Sequence, residues 1–158
     1  MALSKAEIKA AYPLPVYNYK VEIGGAAVAF SEVSGLTIQH QTSTYSESPV
    51  AAGSPGPRVM YMPAQTSAVN ITLKKGVVRG VSVPALYDWM NLTQINQTDK
   101  RDVFVRLCDE KGDPVVSWKV LNAFPVKLDA PTFTASSNDV AVESLQLMAD
   151  GLQIEEAG

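Results

Sequence analysis

The side chains that could support covalent or metal chemistry are few in this sequence and lie far apart along it. The chain has 158 residues with one histidine, His40, and one cysteine, Cys108. A cysteine nucleophile needs a base beside it, and a zinc site needs several Cys or His ligands at short spacing. The sequence matches neither arrangement. His40 falls within an alternating, strand-like pattern, which favours a structural histidine over a catalytic one.

Paired carboxylates and a glycine-rich segment are the remaining candidates for chemistry. Asp109–Glu110 lies in a predicted turn, and Glu155–Glu156 lies in a predicted frayed tail, so both pairs are interpreted as solvated charge. The segment Gly53–Gly56 has neither the lysine nor the strand-to-helix setting of a phosphate-binding loop. We therefore predict no enzymatic activity, no cofactor and no metal.

The composition indicates one soluble domain, 1–158, long enough to bury a core. The formal net charge of -3 is too small to steer nucleic acid or an anionic membrane to the protein. No run of residues is apolar enough to span a bilayer, and the N-terminus lacks a signal-peptide pattern. We expect a soluble protein made in the cytoplasm. Cys108, which has no partner for an internal disulfide, is expected to pack as a small apolar side chain.

The segment Arg101–Leu128 predicts a β-hairpin to which the other strands are added. Apolar and polar residues alternate over Asp102–Cys108 and over Val115–Val120, as in half-buried strands. The charged turn between them contains Gly112, where a positive φ would close a short loop. The run Asn122–Pro125 is expected to interrupt the pairing.

Other alternating runs predict further antiparallel strands. A strand at Tyr17–Ile23 is followed by a two-residue glycine turn, a hairpin signal. More strands are expected at Leu36–Gln41 and at Val69–Gly76. In the last predicted strand, Asp139–Met148, the apolar parity slips near Glu143, which indicates either a bulge or coverage on different faces.

Two helices are predicted, and one of them packs on the sheet. A capping box precedes Lys5–Ala11, which predicts a short helix within an N-terminal arm, 1–16. Ser82 is a candidate N-cap for a longer helix with proline in its first turn, ending near Asn96. The residues expected in the core between helix and sheet are Leu86, Trp89 and Trp118.

The segment 41–65 differs in composition from its surroundings and is predicted as a long loop. Its tip, Ser48–Pro57, is rich in proline and glycine, and the apolar run Val59–Met62 follows. Loops of this length in compact domains are usually functional or disordered. The apolar run is larger than a solvated loop ordinarily carries, so the segment is a candidate contact surface.

These elements predict an α+β fold, mainly antiparallel β, with one helix packed on the sheet. An open sheet has edge strands with unpaired backbone groups, and a ring of copies of the same chain would remove them. A monomeric β-sheet module that binds a peptide or small ligand accounts for the same residues. The residue patterns alone leave both alternatives open.

Several motifs, spread in order over nearly the whole chain, resemble a known family. They are Tyr12–Tyr17, Phe30–Leu36, Asn70–Val77, Asp88–Trp89, Ser117–Pro125 and Ser137–Val142. Together they are similar to the inner tube proteins of contractile injection systems, especially the antifeeding-prophage and virulence-cassette type. Contractile phage tail tube proteins are more distant relatives.

The resemblance implies a structural role. Hexameric rings, in which each subunit lends strands to a shared β-barrel, would stack into a tube that sheath contraction drives into a target cell. The implied partners are other copies, a sheath protein, a baseplate, tube-terminating proteins and a protein effector in the lumen, without stable nucleic acid or membrane insertion. Assembly is expected in the bacterial cytoplasm, as part of a tail-like particle that is released or retained. The alternatives are a phage tail tube that conducts DNA and a monomeric peptide-binding module.

The resemblance and the alternation together assign candidate site residues. Segment 41–65 is expected to contact the next subunit or ring through Tyr45, Arg58, Met60, Tyr61 and Met62. Polar residues that alternate with apolar ones in two strands are expected to face the lumen, namely Lys20, Glu22, Asn70, Thr72 and Lys74. Such a lining is mixed and weakly charged, which favours protein over DNA as cargo.

Overall fold

The computed structural model describes residues 2–50, 52–92 and 97–157, which form two antiparallel β-sheets and two helical segments. Helix α1 spans Lys5–Ala11, and a π-helical turn, Val83–Tyr87, leads into α2, Asp88–Asn91. The strands are β1 (Tyr19–Ile23), β2 (Ala26–Val28), β3 (Glu32–Ser34), β4 (His40–Glu47), β5 (Arg58–Thr66), β6 (Val69–Gly76), β7 (Arg101–Cys108), β8 (Pro114–Asp129), β9 (Val142–Ala149) and β10 (Gly151–Glu156). The predicted end of the second helix, near Asn96, lies outside the described residues.

The large sheet contains eight strands in the order β2-β1-β7-β8-β9-β6-β3, with β10 paired to β8 beside this path. Strands β4 and β5 form a separate two-stranded sheet. Every pairing among these strands is antiparallel. The predicted fold class, mainly antiparallel β with few helical residues, is confirmed.

Strand β8 joins the two halves of the large sheet. Its first part pairs with β7 and β10, and its second part pairs with β9. At Asn122–Pro125, where an interruption is predicted, the strand itself continues, but its pairing is irregular: the register with β7 shifts beside Asn122, which has a φ of 53°, and Phe124 and Pro125 pair with β9. The frayed tail predicted around Glu155–Glu156 is wrong. These residues belong to β10, whose partner β8 is distant in sequence, so local pattern did not reveal the pairing.

The hydrophobic core lies between the large sheet and the helical segment. Buried side chains come from alternate strand positions and from the helix: Val21, Ile23, Val69, Ile71, Leu73, Leu86, Trp89, Val103, Val105, Val120, Ala123, Leu145, Leu147 and Ala149. Trp118 is partly buried and packs against this cluster. Trp89 is fully buried, and its Nε1 donates a hydrogen bond to the carbonyl oxygen of Asp99 at 2.7 Å.

The parity slip near Glu143 does not come from a bulge. Strands β6 and β9 pair without a register shift over their whole length. Leu145 and Leu147 therefore face the core, whereas Val142 lies on the opposite face and is partly exposed. The predicted strand also began too early, since Val140 precedes β9.

Of the two predicted helix N-caps, Ser4 is confirmed and Ser82 is wrong. Helix α1 begins as predicted, with the Glu7 backbone N–H donating to Ser4 Oγ at 3.2 Å and the Ser4 N–H donating to the Glu7 carboxylate at 2.7 Å. Ser82 does not cap the second helix, because its own backbone is already helical. Its buried hydroxyl instead accepts from the Val78 N–H at 2.8 Å and donates to the Gly76 carbonyl at 3.3 Å. Ser82 thus holds the turn between β6 and the helix.

The region after β3 differs most from the sequence-based expectation. Leu36–Gln41 was predicted as a strand, but the chain turns at Gly35 with a φ of 88° and enters β4 only at His40. Leu36 is partly buried against the core, which produces an alternating pattern without strand pairing. Segment 41–65, predicted as a loop, forms most of the β4–β5 hairpin, and the described residues of the tip, 48–50 and 52–57, lie outside regular structure.

Candidate assembly surfaces

The β4–β5 hairpin divides the candidate contact residues between two faces. Tyr45 lies opposite Met60, and Glu47 lies opposite Arg58. Opposed residues share a face, whereas neighbours along a strand alternate. The methionine face is defined here by Tyr45, Arg58, Met60 and Met62. The tyrosine face, on the other side, is defined by Val59 and Tyr61. The sequence pattern had grouped Tyr61 with its neighbours, and the register separates it from them.

Both hairpin faces expose apolar side chains. Tyr61 is 79% exposed, Tyr45 50% and Met62 44%. Among the described strands, β4 and β5 pair only with each other. An isolated two-stranded hairpin is marginally stable in water, and it gains stability when another layer covers it. The hairpin therefore presents an apolar surface that its own large sheet leaves uncovered.

The hairpin also carries few charges. From His40 to Thr66 the only acidic or strongly basic residues are Glu47 and Arg58. Arg58 is exposed, and none of the ion pairs among the described residues includes it. The cores of protein interfaces are depleted in charge and enriched in aromatic residues, Met and Arg. The composition of the hairpin matches that of an interface.

A second surface, the polar face, is the side of the large sheet that points away from the core. Strands β1 and β6 alternate between buried and more exposed residues. Their five candidate lumen residues all lie on the polar face: Lys20, Glu22, Asn70, Thr72 and Lys74. Glu22 forms an ion pair with Arg106 of β7, and Lys74 Nζ lies 3.3 Å from the Glu32 carboxylate of β3. Much of the charge on this face is thus paired between neighbouring strands.

The polar face also contains Phe104, Arg106 and Lys119, which are not among the lumen residues predicted from the sequence. Lys119 lies opposite Phe104 in the β7–β8 register. The Arg106 guanidinium is 4.8 Å from the centre of the Phe104 ring, and Lys119 Nζ is 5.6 Å from it. The alternation of β7 contained the signal, since residues between the buried Val103 and Val105 must point away from the core. Cation–π contacts orient both basic groups.

An apolar pocket of about 340 Å³ opens on the large sheet near its β1 and β3 strands. Most of its lining comes from Val16, Tyr19, Val33, Leu36, Leu107 and Trp118. The Tyr19 hydroxyl donates to the Phe30 carbonyl at 2.6 Å. Burial raises the pKa of Tyr19, and the negative charge of Glu32 adds to the rise. The phenol therefore stays neutral near physiological pH, and Glu32 is the charged residue in the lining.

The residues considered for covalent or metal chemistry remain apart. His40 is exposed at the start of β4, whereas Cys108 is buried at the end of β7. Over the described ranges, no group of three His, Cys, Asp or Glu side chains could hold a metal ion. No helix in the part of the chain that the structure describes is long and apolar enough to cross a membrane. The prominent features of the described geometry are contact surfaces.

Comparison with known proteins gives these surfaces a context. The family model described as T4-like virus tail tube protein gp19 matches residues 15–153. A chain of the PVC sheath-tube complex of an extracellular contractile injection system, in the extended state, is 37% identical with a TM-score of 0.87, covering 99% of this chain and 100% of that chain. No curated protein matches.

Two further structures are similar along most of their length. A chain of the anti-feeding prophage tube terminating cap is 40% identical with a TM-score of 0.83, covering 99% of this chain and 100% of that chain. A chain of the PVC sheath/tube terminator in the extended state is 39% identical with a TM-score of 0.80, covering 91% and 97%.

The antiparallel fold and these relatives define a structural protein of contractile, tail-like tubes. The chain belongs to the T4-like virus tail tube protein gp19 family, which confirms the resemblance seen in its motifs. It is a structural tube subunit of a contractile injection system. The matching family is structural rather than catalytic.

Proposed function

We propose that the chain forms hexameric rings, which stack into an inner tube that sheath contraction drives into a target cell. Its relatives occur in a sheath-tube complex, a tube terminating cap and a sheath/tube terminator, which supports this role. The proposed partners are other copies of the chain, a sheath protein, a baseplate and tube-terminating proteins. The subunit acts as one domain, and as a building element it catalyses no reaction.

The exposed, charge-poor β4–β5 hairpin carries this proposal. Contiguous apolar surface on a soluble subunit marks a site of interaction. The hairpin displays such surface on both faces and, over the described residues, makes no strand pairing with the large sheet. Burial against other copies would cover it. The N-terminal arm, 1–16, is a second candidate contact, because α1 contains no buried residue.

We place the lumen on the polar face and propose a protein effector as cargo. The pair Glu22–Arg106 offsets positive charge on this face, and Lys74 reaches Glu32 on the edge strand β3. A surface retains DNA through lysine and arginine contacts to phosphate, each of which adds salt-dependent affinity. Lys20 and Lys119 of this face are in no ion pair among the described residues, so the pairs weaken such retention without removing all of the positive charge. Cytoplasmic assembly and a place in a released particle agree with the extracellular systems to which the relatives belong.

Electron microscopy of the purified chain tests the assembly proposal. Negative-stain images should show rings or filaments. A species that remains at 17.0 kDa at every concentration would support the monomeric peptide-binding alternative instead.

A hairpin variant tests which element drives stacking. Deletion of Ser48–Pro57 combined with Met60→Ser and Met62→Ser should leave a folded subunit that no longer stacks. A matched variant with Met60→Leu and Met62→Leu keeps the apolar character and should stack normally. Circular dichroism checks folding, and filaments formed by the deletion variant would refute the role of the hairpin.

The cargo proposal is tested on intact particles. After nuclease treatment, mass spectrometry should find a non-structural protein that remains with the tube. Nuclease-protected DNA without any such protein would support the alternative, a tail tube that conducts phage DNA.

A further inference from the structure

The apolar pocket on the large sheet has the size and chemistry to receive side chains from another molecule. Its volume of about 340 Å³ lies at the small end of the range of about 300 to 1,000 Å³ for binding pockets. Its walls are the side chains of Tyr19, Val33, Leu36 and Trp118, among others. The Tyr19 hydroxyl already donates to a backbone carbonyl, so its polar end is satisfied. The pocket therefore favours an apolar occupant.

Glu32 adds a negative charge to the lining of the pocket. Its side chain is 54% exposed and lies 3.3 Å from Lys74 Nζ, which is itself 45% exposed. Ion pairs between exposed side chains contribute little to stability, so this pair holds Glu32 only weakly. A second cation that approaches the pocket can share the carboxylate at little cost.

The methionine face of the hairpin complements this pocket. Met60 and Met62 are separated by one residue on β5 and point to the same side. Methionine side chains are flexible and polarizable, so they fill irregular apolar spaces well. Arg58 lies on the same face and has no ion pair among the described residues. Apolar side chains and an unpaired cation on the hairpin thus match an apolar pocket beside a carboxylate.

We propose that Met60 and Met62 of one subunit occupy the apolar pocket of a second copy, with Arg58 paired to Glu32 of that copy. This inference rests on the proposed assembly role of the hairpin and adds its receptor. Within the described part of one chain, the hairpin does not pair with the large sheet. A contact between two different patches of identical subunits is heterologous, and it can repeat from copy to copy. Each subunit then supplies one hairpin and accepts another.

Photo-crosslinking in assembled tubes tests the contact. A photoreactive residue is placed at position 60 in one variant and at position 61 in another, in tubes that mix isotope-labelled and unlabelled subunits. Position 60 should crosslink to peptides containing Val33–Leu36 or Leu107–Trp118 of a different copy. Position 61, on the tyrosine face, is the matched control and should not reach them. Crosslinks from position 60 to other segments, or equal pocket crosslinks from both positions, would overturn the proposal.

A charge exchange tests the Arg58–Glu32 pairing independently. Arg58→Glu and Glu32→Arg should each raise the concentration needed for assembly, by roughly tenfold. The combined exchange should recover assembly, whereas Lys127→Gln, at an exposed lysine outside the pocket and the hairpin, should have little effect. If the double variant does not recover assembly, the proposed Arg58–Glu32 pairing is wrong. Wild-type tubes with crosslinks elsewhere would refute only the pocket contact, whereas failure of the wild type to form tubes would refute the assembly role itself.

Discussion

The side-chain amide of Asn122 donates a hydrogen bond to Asp150 Oδ2 at 2.9 Å. The same residue donates its backbone N–H to Asp102 Oδ1 at 3.0 Å, and the Asp150 N–H donates to the Leu121 carbonyl at 3.0 Å. Asp102 belongs to β7, and Asp150 lies between β9 and β10. These contacts connect β7, β8 and the β9–β10 turn beside Asn122, whose φ is 53°. At this position β8 changes partners, from β7 and β10 to β9.

Substitution of Asn122 should reveal the cost of its positive φ. Residues with a Cβ other than Asn and Asp pay about 1–2 kcal/mol in the left-handed region, and β-branched residues are the least tolerated. We expect stability to fall in the order Asn122→Gly, Asn122→Ala, Asn122→Val, with the valine variant least stable. Urea denaturation of the disassembled subunit measures the series. A glycine variant less stable than the alanine variant would contradict the cost of the positive φ, because both variants lack the side-chain hydrogen bond to Asp150.

Replacement of Trp89 should be among the most destabilising changes in the chain. The side chain is fully buried, and the Arg101 guanidinium lies 5.1 Å from the centre of its ring. Loss of a buried tryptophan in Trp89→Ala should cost about 3–5 kcal/mol of folding free energy. Trp89→Phe keeps most of the packing but loses the hydrogen bond to Asp99, so its effect should be smaller. An alanine variant with unchanged denaturation would contradict the helix–sheet core.

Gly35 and Gly25 allow steric clash to be separated from backbone strain. Their φ angles are 88° and 89°, so both disfavour a side chain. A Cβ at Gly35 would clash with the Asn70 carbonyl oxygen in β6, whereas one at Gly25 would meet no atom within 4 Å. Gly25→Ala should therefore lose about 1 kcal/mol from strain, and Gly35→Ala clearly more. Thermal unfolding compares the stability of the two variants. Equal losses of stability would show that the backbone after β3 shifts enough to relieve the clash with Asn70.

The turn between β7 and β8 should depend on pH through Asp109. Its Oδ1 accepts the backbone N–H groups of Asp113 at 3.0 Å and Lys111 at 2.9 Å. The hydrogen bond from Asp113, with a further contribution from that of Lys111, lowers the pKa of Asp109 below its ordinary 3.8. A lowered folded-state pKa means that the stabilisation is present above the unfolded pKa and is lost as pH falls through the folded pKa.

Asp109→Ala should consequently lower the melting temperature near neutral pH and have no effect in strong acid, where the parent carboxyl is protonated. Lys111→Ala retains its backbone N–H and serves as the control. A melting-temperature difference between Asp109→Ala and the parent that stays constant down to strongly acidic pH would refute this role of the carboxylate.

Strand β6 and helix α1 show how much local pattern can reveal. Both were predicted with their observed bounds, because each is specified by neighbouring residues: strict alternation over Val69–Gly76, and a capping box before Lys5–Ala11. The candidate lumen residues share a face for the same reason, since the parity of a strand is a local property. Their position in a tube remains a proposal.

Strand β10 and the β4–β5 hairpin show where local pattern was insufficient. The segment Gly151–Glu156 becomes a strand because it pairs with β8, whose residues are far away in the chain. The proline- and glycine-rich tip of segment 41–65 predicts a loop, and pairing between β4 and β5 makes most of the segment a hairpin. Pairing supplies the backbone hydrogen bonds that the side-chain pattern does not encode.

The sequence by itself determined the chemical character of this protein: the separation of His40 from Cys108, the parity of the core strands and the motifs of the tail tube family. The tertiary structure decided the relationships between distant residues. Register alone assigns Arg58, Met60 and Met62 to one face and Tyr61 to the other, and packing alone forms the pocket beside Glu32. A one-residue change in register would exchange the faces, so these relationships depend on cross-strand pairing that no local run of residues specifies.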